Sequence, residues 1–177
     1  VDGRFDPERT SHVIREIGAD VMALQEADTR FGERRGLLDL HWLERETGLT
    51  PVPVSGVARA HGWHGNVVLF REGLVRDVHQ VKLPGLEPRG ALAVELDMKS
   101  GGTLRAIAAH FGPPRNSRAQ QAKAEVGLPE ARTECGTVRM GDRNEWRRRT
   151  GRARHTHQEG CGRGPAAAPS GLHNQLR

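Results

Sequence analysis

The chain has 177 residues, which fits a single domain with a sizeable buried core. No apolar run approaches the roughly 20 residues that a membrane-spanning helix needs, and no charged-then-apolar signal segment opens the chain. Two cysteines, Cys135 and Cys161, are too few for a disulfide framework. We therefore expect a protein of the reducing cytoplasm, without a membrane span.

The net charge of +5 belongs to the end of the chain. Residues 147–177 carry seven arginines and one acidic residue, whereas residues 1–146 carry 20 basic and 21 acidic residues. A basic tail attracts any polyanion, so this charge does not define what the body binds. Apolar periodicity stops near residue 153, and we predict a domain over 1–152 and a disordered tail over 153–177. A shifted reading frame is an alternative explanation of that tail.

The first part of the chain predicts a helix, a buried strand and a second helix. Asp6 and Pro7 are typical of a helix start, and Gly18 is a natural end. The apolar face of this helix would consist of Val13, Ile14 and Ile17. Residues 20–26 form a nearly continuous apolar run of strand length that ends on Glu26. The second helical pattern covers residues 37–46 and stops at Gly48.

The remainder predicts mostly strands. Strand patterns cover residues 65–71, 75–83, 91–98 and 104–110, and a helix of modest quality over 117–126 precedes a short strand over 137–140. The strand over 104–110 ends on His110, as the earlier one ends on Glu26. Polar groups at strand ends are how α/β sheets build functional sites.

A glycine, an aspartate and an asparagine follow the last strand. Gly141 allows a tight turn, and Asp142 and Asn144 then stand two residues apart, where both side chains can point to one place. A carboxylate can polarise a water, and a carboxamide can hold that water or a phosphate oxygen without adding charge. An ordinary turn is the alternative, since these residue types dominate turns. Together with Glu26 and His110, the pair indicates a metal-assisted phosphoesterase.

Four motifs resemble the endonuclease/exonuclease/phosphatase superfamily of deoxyribonuclease I-like phosphoesterases. They are residues 19–26 (Ala-Asp-Val-Met-Ala-Leu-Gln-Glu), 65–71 (Gly-Asn-Val-Val-Leu-Phe-Arg), 108–112 (Ala-Ala-His-Phe-Gly) and 140–146 (Met-Gly-Asp-Arg-Asn-Glu-Trp). They stand in the family's order, and the resemblance runs from residue 1 to about 152. It implies an α/β fold: a four-layered sandwich of two packed mixed sheets with outer helices, here in part.

The resemblance also implies roles for individual residues. Glu26 matches the ligand of Mg²⁺ or Mn²⁺, and His110 matches the histidine that bonds the scissile phosphate. The other matches are Asp142 for the attacking water, Asn144 as its partner, and Asn66 and Arg89 as residues that face the substrate. The implied activity is metal-dependent hydrolysis of a phosphate ester, most simply a phosphodiester, by in-line attack of water. Relatives of this kind act on nucleic acids, phospholipid head groups or inositol phosphates.

Three departures accompany the resemblance. The family's first strand, with an asparagine at the metal site, has no match, and neither has its late Ser-Asp-His-type motif. Arg143 stands where a hydrophobic residue is usual, and we expect its side chain to reach solvent or to disturb the turn. An inactive fragment or relic that binds phosphate-rich ligands is therefore the alternative function.

Two further groupings of histidines invite interpretation. His61 and His64 flank Trp63 in a glycine-rich stretch and could line the site entrance, although a plain surface loop is the alternative. A metal module made of Cys135, Cys161, His155 and His157 is disfavoured, because the spacing matches no usual zinc pattern.

Overall fold

Two sheets and three helices make up the part of the chain that the computed structural model describes, which is residues 6–29, 32–128 and 136–144. The elements are α1 (Pro7–Ile17), β1 (Val21–Leu24), α2 (Leu40–Thr47), β2 (Leu49–Pro51), β3 (Val67–Arg71), β4 (Gly73–Leu83), β5 (Arg89–Met98), β6 (Thr103–Ala109), α3 (Arg115–Val126) and β7 (Gly136–Met140). The first sheet has the order β1-β3-β2 and the second β4-β5-β6-β7.

The two sheets pack face to face. Side chains alternate along β3, so that Val67 and Leu69 point towards the helices while Val68 and Phe70 point towards the second sheet. Val68 and Phe70 share one apolar core with three residues of β5, namely Leu92, Val94 and Leu96. The core between the sheets is therefore built from the inward-facing half of each strand.

Helices α1 and α2 cover the outer face of the first sheet. Ile14 and Leu43 are buried there against Met22 and Leu49. In α1 the Asp6 carboxylate accepts a hydrogen bond from the Arg9 amide at 2.9 Å and Gly18 is left-handed, as the sequence predicts for the two ends. In α2 Asp39 and Gly48 have the same two functions.

The predicted apolar face of α1 is partly wrong. Only Ile14 of the three proposed residues is buried, while Val13 and Ile17 are 45% and 61% exposed. The buried stripe passes through Ser11 and Ile14, which lie one turn apart. Val13 is rotated by about 100° from Ile14 and so points away from that stripe.

Helix α3 covers the outer face of the second sheet and completes four layers. It packs on Leu83, Ala91, Ala109 and Phe111 through its own small alanines. The predicted α/β class and layered sandwich are confirmed. Mixed pairing is found in the second sheet, where β6 and β7 are parallel. The described strands of the first sheet are all antiparallel, contrary to the mixed pairing expected there.

The remaining sequence predictions divide into three groups. The predicted strands and helices are all present, and the structure adds β2, whose three residues directly after Gly48 are too few for a pattern. No described helix is long and apolar enough to cross a membrane. The tail over 153–177 and the Cys/His module lie outside the described residues.

Candidate active site

A cleft of about 560 Å³ opens where strands of both sheets end. Glu26 follows the end of β1, and His110 follows the end of β6. Arg89 begins β5 and lies at the same edge, because β5 runs antiparallel to β6 and Ala91 pairs with Ala109. The polar residues that line the cleft are Glu26, Asp28, Thr29, Arg34, His64, Glu87, Arg89 and His110. Three of the residues proposed from sequence therefore meet in one place.

Arg89 and His110 form the buried floor of this cleft. The Arg89 side chain is 8% exposed, and its Nη1 lies 2.7 Å from Nδ1 of His110. The same Nη1 lies 3.2 Å from Nε2 of that ring, and because a guanidinium only donates, the imidazole is the acceptor of any hydrogen bond between the two side chains. Nη2 of Arg89 donates to the Glu87 carboxylate at 2.7 Å. The floor thus combines a fixed cation with a ring whose orientation the cation sets.

Glu26 stands at the open side of the cleft. Its side chain is 64% exposed, and Oε1 lies 3.9 Å from both Nη1 of Arg89 and Nδ1 of His110. A carboxylate at that distance neutralises part of the Arg89 charge and stays accessible from solvent. Glu26 lies after a strand, as the sequence predicts, and its binding of a metal ion stays a prediction.

Asn66 supports the cleft from beneath and is not among the residues that line it. It is fully buried, and its Nδ2 donates to the carbonyls of Trp63 at 3.1 Å and Gly90 at 3.0 Å. Gly90 follows Arg89, and a Cβ on it would meet the Trp63 ring at 2.6 Å. Asn66 thereby fixes the backbone beside Arg89, while direct contact between Asn66 and a substrate stays a prediction.

The turn of Asp142 and Asn144 lies beside the end of β6 and outside the residues that line the cleft. Parallel pairing of β6 with β7 brings both strand ends to one edge. Gly141 is required there, since it has a φ of 132° and a Cβ would meet the Ala109 carbonyl oxygen at 2.0 Å. Oδ1 of Asp142 accepts from the Asn144 amide at 2.7 Å, which is the geometry of an Asx turn. The alternative of an ordinary turn is therefore what this segment forms, and the catalytic roles of Asp142 and Asn144 stay predictions.

The Arg143 side chain reaches solvent in part, since it is 40% exposed, and it does not disturb the turn. Its Nη2 donates to the Glu125 carboxylate at 2.8 Å, and its guanidinium lies 5.6 Å from the centre of the Phe111 ring. The ion pair supplies the partner that a guanidinium in this position needs.

Asp28 and Arg34 are cleft residues that sequence reasoning missed. Asp28 is buried and accepts two hydrogen bonds from Arg34, at 3.0 and 3.2 Å. Asp28 stands two residues after Glu26, so proximity to a candidate ligand could have indicated it. Nothing local indicates Arg34, because its contact depends on how the loop folds back.

The two histidines near Trp63 have different places. His64 lines the cleft, and burial together with the charges of Arg34 and Lys82 lowers its pKa below the ordinary value. Nε2 of His61 instead accepts a hydrogen bond from the Leu38 amide at 3.1 Å.

The described residues offer a limited donor set for a metal ion. Within the described ranges, no three His, Cys, Asp or Glu side chains are grouped closely enough to hold one. Glu26 faces the cleft, whereas the Asp28 carboxylate is taken up by Arg34. Mg²⁺ commonly uses one or two carboxylates, with waters and substrate phosphates as its other ligands. Glu26 fits as one such ligand.

Comparisons with solved structures identify the fold. A crystal structure of an endonuclease/exonuclease/phosphatase from Beutenbergia cavernae is similar to 81% of this chain, at 25% identity and a TM-score of 0.59. ANGEL2, a 2′,3′-cyclic phosphatase solved with adenosine-2′,3′-vanadate, is similar to 79% of the chain at 16% identity and a TM-score of 0.56. A humanized D. rerio TDP2 is similar to 79% of the chain, at 15% identity and a TM-score of 0.56. No family model and no curated protein matches the sequence.

The chain has the fold of the endonuclease/exonuclease/phosphatase proteins, and the resemblance drawn from the four motifs is confirmed. It spans only part of these structures, covering 43%, 44% and 58% of their respective lengths. The described domain therefore corresponds to a portion of the fold.

Proposed function

We propose that the protein is a divalent-metal-dependent phosphoesterase that hydrolyses a phosphodiester. The observation that carries this proposal is the floor of the cleft, where a buried guanidinium and an imidazole stand beside an accessible carboxylate. Such a group binds a tetrahedral anion on one side and a cation on the other. The names of the structural neighbours, which include a cyclic phosphatase, support the same reaction class.

Each residue has a defined task in the proposed reaction. Arg89 and His110 hold the phosphate oxygens by hydrogen bonds and fix the orientation of phosphorus. Glu26 is the protein ligand of Mg²⁺ or Mn²⁺, which when bound would neutralise charge on the phosphoryl oxygens. Asp142 accepts the proton of the attacking water through the carboxylate oxygen that the Asn144 N–H does not occupy. Oδ1 of Asn144 orients the same water, since Nδ2 of that side chain donates to the Phe111 carbonyl. As the new bond to phosphorus forms, the bond from phosphorus to the leaving alkoxide breaks, and the alkoxide takes a proton from solvent.

Binding without turnover is the second candidate function. One observation favours it: Asp142 and Asn144 lie outside the residues that line the cleft. A phosphate-rich ligand would then rest on Arg89 and His110 without being cleaved. Under both proposals the ligand is a nucleic acid, a phospholipid head group or an inositol phosphate.

Hydrolysis of bis(4-nitrophenyl) phosphate with Mg²⁺ or Mn²⁺ separates the two functions. We expect turnover that EDTA abolishes and that falls by about 100-fold or more in Glu26→Gln and in Asp142→Asn. Glu72→Gln is the matched control, since Glu72 pairs with Lys99 at an exposed turn. A folded chain that binds inorganic phosphate through Arg89 but shows no turnover would replace the enzyme proposal with the binding one.

A further inference from the structure

We propose that Arg143 and Glu125 form a positioning pair that holds the Asp142/Asn144 turn against the end of β6. This inference rests on the proposed function in so far as it concerns catalysis. The arrangement itself is a property of the described residues and can be tested separately. It assigns a task to Arg143, the residue that departs from the pattern implied by the resemblance.

Phe111 is the residue through which the pair acts. Its backbone N–H donates to the Asp142 carbonyl at 2.9 Å, and its carbonyl accepts from Nδ2 of Asn144 at 2.6 Å. Phe111 directly follows His110, so these two bonds fix the turn relative to the cleft floor. Whatever fixes Phe111 also fixes the distance between His110 and the turn.

Arg143 fixes Phe111 by lying over its ring. The guanidinium carbon is 5.6 Å from the ring centre, within the range of a cation–π contact. The Phe111 side chain is buried, and the Arg143 guanidinium covers one side of its ring. A planar guanidinium can stack on a ring while it still donates to a carboxylate at its edge.

Glu125 determines where that guanidinium lies. It belongs to the last turn of α3, its side chain is 3% exposed, and its Oε1 accepts from Arg143 at 2.8 Å. The same oxygen lies 3.2 Å from Nε of Arg139 on β7. A buried carboxylate needs such cations, because burial without them is strongly unfavourable. One oxygen thereby joins α3, β7 and the turn.

The position of the turn matters more to a reaction than to folding. A displacement of about 1 Å in a catalytic group can reduce a rate by about 100-fold, although the fold persists. We therefore expect loss of the pair to lower kcat and to leave KM little changed, because Arg89 and His110 still bind the phosphate.

Arg139 provides the matched control. It pairs with the same Glu125 oxygen and is half exposed like Arg143, but it has no contact with the Phe111 ring among those described. The comparison is between Arg143→Leu and Arg139→Leu in the full chain. The first readout is amide hydrogen exchange at Phe111 and Asn144, whose N–H groups bond to Asp142.

We expect Arg143→Leu to reduce protection of both amides by about tenfold beyond any global change, and Arg139→Leu to leave them close to wild type. Equal losses in both variants, or unchanged protection in Arg143→Leu, would overturn the positioning role. Arg143→Lys, which keeps the charge and loses the planar stack, should give an intermediate loss and serves if the leucine variant does not fold.

The second readout is the kinetic split with bis(4-nitrophenyl) phosphate. A lower kcat at similar KM in Arg143→Leu, with normal values in Arg139→Leu, supports positioning of catalytic groups. If the wild-type chain shows no turnover, the proposed function fails on its own. The exchange measurement then still decides whether the pair holds the turn.

Discussion

The two helical layers of the protein are held by different chemistry. The layer of α1 and α2 lies on the first sheet through hydrocarbon side chains such as Ile14, Leu43 and Leu69. The layer of α3 buries two polar residues, Gln121 and Glu125, while its alanines are partly buried. The difference matches what each layer supports: the first closes a core, and the second holds the loops around the cleft.

Gln121 shows how α3 performs this support. Its Oε1 accepts from the Gly112 amide at 2.9 Å, and its Nε2 donates to the Pro84 carbonyl at 2.8 Å. Gly112 lies two residues after His110, and Pro84 lies five before Arg89. Directional hydrogen bonds fix a loop more precisely than apolar packing does. The α3 layer therefore fixes the positions of the loops beside the cleft, and the layer of α1 and α2 contributes most to the stability of the fold.

The largest effect is expected from the apolar layer. Leu43→Ala removes a fully buried side chain and should destabilise the fold by about 2–5 kcal/mol. Urea unfolding measures this, with Leu86→Ala as the control because Leu86 is exposed. A loss below about 1 kcal/mol would mean that this layer collapses easily around the cavity and contributes less than its packing indicates.

Gln121→Leu tests whether the α3 layer is held by hydrogen bonds rather than by apolar packing. Leucine has a similar size, so a layer held by apolar packing would tolerate it. We expect instead a loss of about 1–3 kcal/mol, because the Gly112 N–H and the Pro84 carbonyl would lose a buried partner. Gln120→Leu, at the exposed neighbouring position, is the control. Equal stability of the two variants would contradict the comparison.

The smallest expected effect is a pH dependence confined to the cleft side. Burial and the neighbouring Arg34 and Lys82 lower the pKa of His64, while Asp28 and the Pro88 carbonyl oppose this shift. The unfolded chain then takes up the proton first, so stability is complete above about pH 6.5 and falls as the pH drops towards the folded pKa. In urea unfolding measured from pH 5 to 8, the free energy of unfolding should change less with pH in His64→Gln than in the wild-type chain. An equal pH dependence in the two chains would contradict this contribution of His64.

The difference between the two helical layers also explains which structural features could be predicted from the sequence. Local signals predict both ends of α1 and the end of α2, because Asp6, Gly18 and Gly48 act on their own neighbours. The predicted start of α2 at residue 37 lies three residues before its observed start at Leu40, because the prediction does not recognise the cap at Asp39. The acids and histidine at strand ends could likewise be found, since their position follows from local pattern. Glu26 and His110 do share a cleft, although their chemical roles stay predictions.

The polar layer could not be read in this way. Gln121 and Glu125 are polar and charged residues in a helix that has no clear apolar stripe. Their hydrogen-bond partners, which make their burial possible, lie 9 to 37 residues away in the sequence. The ion pair of Arg143 could not be predicted for the same reason, since its partner Glu125 is on another element. Arg34 and Asp28 meet only because the loop after β1 turns back on itself.

The backbone of Glu26 has a left-handed conformation that is unfavourable for any residue with a side chain, including the carboxylate proposed for the site. Its φ is 55°, a region that glycine adopts freely and that costs other residues about 1 kcal/mol or more. Glycine at this position would relieve the backbone and delete the carboxylate at once. Under laboratory evolution with selection for folding alone, position 26 is therefore among the first at which the site should erode. Selection for catalysis would preserve the glutamate in spite of the strain.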